Sequence, residues 1–460
     1  MKARLKRIAA VAAAVGVALS MTGCGTKKAV DINVSNNGIT EADLERFSEL
    51  KLGEDYTDLS AEIKVLNGRN DLVDTLFAEY NERFNEMYPN IKIDYETPTD
   101  YAEDMTLRLT TKDWGDVCMI PTTVDKDEYP TKFLALGSVE ALSKDYILMN
   151  ERAYNNVVYG IPAMCNVQGI VYNKQVFKDA GLTETPKTPE EFLTALEQIK
   201  EKTNAIPMYT NFSSGWAMGA WDGYIGGSAT GDSNFTNEVL VHGENPFSDR
   251  GDMTGPYAVY YVLYEAVKRG LVEEDPTTSD WEGSKGMINR GEIGTMVLGS
   301  WAVQQFKEAG DNPDDIGYMP FPITVNGKQY ASAAPDYAYG ININAPIDNK
   351  LASMIYIKWM IEESGYADSQ NCLSIIQGAP MPSVLDDFEG VELVIDAPAP
   401  EGEETLFSDI NNESEVGINS DNYPDCAIAE AALTGSKTLD EIMDEWNTKW
   451  TAAQKKYGAR

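Results

Sequence analysis

Residues 159–186 read YGIPAMCNVQGIVYNKQVFKDAGLTETP, and this stretch decides the fold. Gly160-Ile161-Pro162 closes a preceding segment. Val167 to Tyr172 is then a β-branched run suited to a buried strand. Asn173-Lys174 turns into a short helix, with Gly181 placed as its C′ residue. Downstream, Thr188-Pro189-Glu190-Glu191 supplies an N-cap, a proline at N1 and a glutamate at N3 for the next helix. Strand and helix follow one another closely, as in an α/β chain.

A second α/β unit precedes this one. Glu62 to Leu66 reads as a strand and leads into Asn67-Gly68-Arg69-Asn70. A helix follows with Leu72, Leu76, Phe77, Tyr80, Phe84 and Met87 on one face, and Ile91, Ile93 and Tyr95 mark the next strand. A βαβ unit implies a parallel sheet with ligands at the carboxyl ends of its strands, where Arg69 and Asn70 sit. Further on, Ile293 to Leu298 is a strand that runs into Gly299-Ser300-Trp301-Ala302. The stretch Ala333-Ala334-Pro335-Asp336-Tyr337-Ala338-Tyr339-Gly340 is extended, and strand alternation places Tyr337 and Tyr339 on one face.

Taken in order, these segments resemble family 1 extracellular solute-binding proteins, the carbohydrate receptors of ABC importers, of the maltodextrin-receptor kind. The resemblance spans roughly residues 60 to 455. It rests on the Y-G-I-P…Y-N-K…F…A-G stretch, on the Met296…Gly299…Trp301-Ala302 arrangement, on Gly317…Pro320…Pro322 and on Gly378-Ala379-Pro380-Met381-Pro382. It implies an α/β, two-lobed periplasmic-binding-protein-like fold, with a parallel-rich sheet flanked by helices in each lobe and a multi-strand hinge. The expected division is 61–165 plus 337–382 for lobe 1 and 166–336 plus 383–460 for lobe 2. By the same resemblance, Arg69 and Asn70 from lobe 1 face the sugar, and Trp114 sits on a cleft-lining loop, where it either stacks on the ligand or packs into the lobe. Asn166 stands where maltodextrin receptors carry a carboxylate. Trp216 and Trp301 are placed as stacking platforms, Trp221 as either a platform or a core residue, and Asp336, Tyr337 and Tyr339 line the second crossing.

The amino terminus carries its own signal. Lys2, Arg4, Lys6 and Arg7 precede an apolar run to Leu19 and then Ser20-Met21-Thr22-Gly23-Cys24. This is an export signal over residues 1–23, too short to span a bilayer comfortably, and its end resembles a lipobox with Cys24 as the lipid-attachment residue. Residues 24–60 are polar and read as a flexible tether.

Composition limits the alternatives. A formal charge of -36 excludes nucleic acid as a primary ligand and restricts membrane contact to a lipid anchor. One histidine, His242, leaves no basis for a histidine-rich metal centre, and no cofactor is expected. Five cysteines without a C-x-x-C spacing do not form a disulfide framework. Residues 225–256 and the acidic 386–421 segment read as solvated loops, the latter with a weak calcium pattern at Asp409, Asn411, Glu413 and Glu415. The leading reading is a monomeric, lipid-anchored receptor that binds a sugar between two lobes and delivers it to permease subunits. Competing readings are a secreted glycosidase, which needs two carboxylates about 5–10 Å apart across a cleft, and a receptor for a non-sugar solute.

Overall fold

The computed structural model describes residues 35, 37–40, 44, 47–98, 100–420 and 424–460, so the export signal and Cys24 lie outside the described residues. In chain order the strands begin with β1 (Ala61–Leu66), β2 (Ile91–Glu96), β3 (Val117–Ile120), β4 (Gly137–Ser138), β5 (Ala153–Tyr154) and β6 (Val157–Val158). Next come β7 (Ile161–Pro162), β8 (Cys165–Asn173), β9 (Ile206–Met208), β10 (Ile293–Gly299) and β11 (Ile316–Pro320). The last are β12 (Thr324–Val325), β13 (Lys328–Pro335), β14 (Ala338–Ile341) and β15 (Glu392–Val394).

The first lobe is built on a sheet of order β2-β1-β3-β14-β7, with β4, β5 and β6 in a small separate sheet. β1 runs parallel to β2 and β3, as the βαβ reading requires. The Leu76–Met87 helix buries Phe77, Tyr80 and Phe84 against this sheet, following its helical spacing. The second lobe has a sheet of order β12-β13-β8-β10-β9, with β11 added on β8 and β15 on β13.

At the centre of that sheet, β8 is buried on both faces over Gly169–Tyr172, which is why that part of its sequence carries no charged or amide side chain. Gly169 is required there, since a Cβ would lie 2.7 Å from Met319 O and from the Tyr318 ring. Two phenols use the space: Tyr224 donates to Gly169 O and Tyr318 to Val167 O, each at 2.6 Å. Asn173 caps the next helix by accepting from Val176 N, and Gly181 ends it in the left-handed conformation.

The chain passes between the sheets at Ala163-Met164, after β7, and returns at Asp336-Tyr337, between β13 and β14. A third segment lies beside these crossings, with Leu373 paired to Cys165.

Three expectations fail. The described part of the 24–60 segment does not stand off as a tether: Ile39, Leu44, Phe47, Leu50 and Leu59 are buried in the first lobe, where Phe47 packs edge-on to Tyr146. Residues 225–256 form short helical turns that bury Phe235, Leu240, Val241 and Phe247. The acidic 386–421 segment supplies β15 and a Leu406–Ser414 helix that buries Ile410 in the second lobe's core. In all three, sparse apolar residues find long-range partners that local periodicity does not reveal. The calcium pattern is occupied otherwise, because Asn411 bonds the Ile418 backbone and Glu413 pairs with Lys456.

Candidate ligand-binding cleft

A cleft of about 510 Å³ lies between the lobes. Thr122, Glu151 and Arg152 line it from the first lobe; Gln168, Trp216 and Asp396 line it from the second, and Tyr337 stands at the crossing. Gly219, Gly223, Gly226 and Gly227 pave one side, bringing backbone directly to the surface. At Gly227 this bareness is structural, since a Cβ would come within 2.7 Å of Val394 Cβ.

Trp216 is 45% exposed, unusual for so large an apolar side chain. Its ring meets Trp281 at 5.0 Å between centroids and 85°, and Trp301 at 5.8 Å. Trp281 and Trp301 are also 5.8 Å apart, and Lys285 Nζ sits 4.9 Å above Trp281. Three indoles thus form one rigid platform, and of the three only Trp216 lines the cleft. Its loop is fixed from below. Buried Glu273 accepts from Thr210 N at 2.9 Å, Thr210 Oγ1 accepts from Phe212 N, and Ser213 N donates to Ser279 Oγ.

The two walls carry carboxyl groups whose ordinary acidity is disturbed. Burial raises Glu151 above the usual carboxylate range, with Lys126 and Arg152 pulling the other way. Burial likewise raises Asp396, opposed by its hydrogen bond from Thr236. Hydroxyl groups of a polyol can donate to such acceptors, while Arg152 and the Gln168 amide can donate back.

The sequence-named residues divide into four groups. Trp216 and Tyr337 line the cleft. Arg69, Asn70 and Trp301 do not line it: Arg69 pairs with Asp71 and donates to Gln370 at 2.6 Å, Asn70 is exposed, and Trp301 supports Trp216. Asn166 and Asp336 bond each other at the hinge, and burial pushes the Asp336 carboxyl up to about 6. The remaining three are corrections. Trp114 is 3% exposed and packs edge-on to Phe133, because Gly115 at φ 123° folds the loop back onto the first lobe. Trp221 lies in a 3₁₀ turn that drives it against Phe321 in the second lobe. Tyr339 is in the first lobe's core against Tyr356: the ladder breaks at Asp336-Tyr337, so the two tyrosines do not share a strand face.

Gln168 was legible, two residues after Asn166 on one strand and therefore on the same face. Trp281 was visible as a large aromatic at a helix start. Glu151, Arg152 and Asp396 carried no local signal, Asp396 being one acid among many.

A family model of bacterial extracellular solute-binding proteins matches residues 70–367. The multiple sugar-binding protein of Streptococcus mutans is 25% identical over 336 residues, covering 70% of this chain and 76% of that protein. Two solved structures from Bifidobacterium animalis subsp. lactis are more similar. One, an ABC-transporter binding protein in complex with mannobiose, is 49% identical with a TM-score of 0.87; the alignment covers 89% of this chain and 98% of that one. The other, a manno-oligosaccharide-specific solute-binding protein in complex with mannotriose, is 48% identical with a TM-score of 0.86 at the same coverage.

Proposed function

This chain belongs to the bacterial extracellular solute-binding proteins, and from that premise we propose that it is a receptor binding a manno-oligosaccharide in the interlobe cleft and delivering it to the permease subunits of an ABC importer. The observation that carries the reading is Trp216: an exposed indole on a braced platform, facing a cleft whose walls also carry glycine, carboxyl, amide and guanidinium groups. Flat rings suit the C–H faces of pyranosides, and the polar groups suit their hydroxyls. The mannobiose- and mannotriose-bound relatives support the choice of sugar. Contacts from both walls exist only when the lobes are together, so sugar draws the population toward the closed form. We propose lobes of 61–165 plus 337–382 and 166–336 plus 383–460, a division supported by β14 joining the first sheet and β15 the second.

Titration calorimetry with mannobiose, mannotriose and maltotriose tests the reading. The manno-sugars bind and are recovered unchanged by chromatography. Release of free mannose would instead identify a glycosidase, and binding of none of the sugars would point to a non-sugar solute.

The chain is held at the extracytoplasmic membrane face through Cys24. Among the described residues no helix is long and apolar enough to cross a membrane. Mass spectrometry of the membrane fraction is expected to find a mature amino terminus at Cys24 carrying a diacylglyceryl group. A free terminus at another residue would refute the anchor.

A further inference from the structure

Three chain segments meet at the hinge, and each contributes a polar side chain to one run of hydrogen bonds. Asn166, near the start of β8, donates through Nδ2 to Asp336 Oδ1 at 3.2 Å. Cys372 donates through Sγ to Asn166 Oδ1 at 3.1 Å. Ser300, at the end of β10, accepts from Val167 N at 3.1 Å and lies 3.8 Å from Cys372 Sγ. Asn166 and Cys372 are buried, and none of Asn166, Asp336 and Cys372 lines the cleft. A second bridge runs alongside. Arg69 donates to Gln370, and the adjacent Asn371 donates through Nδ2 to Gln304 Oε1 at 2.5 Å, on the helix that Trp301 opens. The turn after β1 in the first lobe is thereby tied to the indole platform of the second.

We propose that Asn166, Asp336 and Cys372 are positioning residues that form a hinge lock, holding the lobes at the angle seen here and setting how much ligand-free protein is closed, without touching the sugar. Asn166 and Asp336 sit on or directly beside paired strands of the second lobe, whereas Cys372 comes from the first. Rotation of one lobe must shift Cys372 against the Asn166–Asp336 pair, and the buried Asn166 and Cys372 cannot be resupplied by water as they separate. The lock therefore favours one angle. Apparent affinity scales with the fraction of protein already competent to bind, so weakening the lock weakens binding from a distance. The proposal rests on the receptor reading only in requiring that the lobes open and close.

The test uses the mature chain and four variants: Asn166→Ala, Asp336→Ala, Cys372→Ala and Asp336→Asn. Small-angle scattering without sugar and calorimetry with mannotriose are measured on each. The three alanine variants are expected to show a larger ligand-free radius of gyration, mannotriose binding about 5- to 10-fold weaker, and the wild-type radius once saturated. Asp336→Asn keeps an accepting oxygen in place and is expected to stay near wild type. Cys372→Ala changes little volume and keeps the test available if a larger truncation fails to fold. An unchanged ligand-free radius overturns the lock: with weakened binding it makes these residues sugar contacts, and with only a lowered melting temperature it makes them structural. If wild type ignores mannotriose, the choice of sugar fails, while ligand-free scattering still decides the lock.

Discussion

Trp216→Ala is expected to weaken mannotriose binding about 10- to 70-fold while leaving the melting temperature close to wild type. A stacked pyranoside hides roughly 60–100 Å² of apolar indole, and at about 25 cal/mol/Å² this corresponds to about 1.5–2.5 kcal/mol. Stability is spared because the side chain is already 45% exposed in the folded chain. Trp281→Ala removes a brace instead, and lowers both stability and affinity. Calorimetry and thermal melting on the same samples separate the two effects. A Trp216→Ala variant with wild-type affinity would remove the platform from the binding site.

The second large effect concerns two acids beneath the cleft. Asp222 is buried and accepts from Tyr260 Oη at 2.8 Å and from Asn419 N at 2.6 Å. Asp425 is fully buried, and among the described residues neither of its carboxyl oxygens has a hydrogen-bond partner. Burial, and then the neighbouring Asp222 charge, push Asp425 well above the usual carboxylate range, while burial pushes Asp222 up to about 6. A pair like this keeps a proton that the unfolded chain releases near pH 4. The folded state therefore binds more protons than the unfolded one, and stability falls as pH rises from about 4 through about 6. Each retained proton contributes a slope of about 1.4 kcal/mol per pH unit, on the order of 2–3 kcal/mol over that window. Asp425→Asn places a neutral amide there that can donate to Asp222. Denaturant unfolding at pH 4 to 8 is expected to show the variant gaining on wild type as pH rises. Parallel stability curves would sink the account.

Much of the fold was legible because its elements announce themselves locally. β8 holds a β-branched run, the Thr188 cap is where the sequence placed it, and the Phe77–Tyr80–Phe84 face follows the helical period. The site was legible only in part, since a sequence shows that an aromatic exists but not which way it faces. Trp216 and Trp221 lie five residues apart in one glycine-rich loop, and a single 3₁₀ turn sends the second into the core while the first stays in the cleft. Asn166 and Asp336 were found, yet their chemistry is spent on each other across 170 residues. Phe47 looked like part of a spacer because its partners, Tyr146 and Lys358, lie far along the chain.

The position of β14 bears on how the protein comes to be folded at all. It fills the gap between β3 and β7, although about 176 residues separate it from the end of β7 (338 minus 162). A growing chain therefore completes β1, β2, β3 and β7 long before the strand that joins them exists, whereas β8 to β13 of the second lobe follow in one uninterrupted run. Order along the chain and order in the sheet are decoupled: the first lobe's sheet cannot close until β14 has been made, so the edge of β3 stays open until then. Such non-local pairing slows folding. For the exported receptor proposed above, that delay would keep the chain in a state the translocation machinery can still handle.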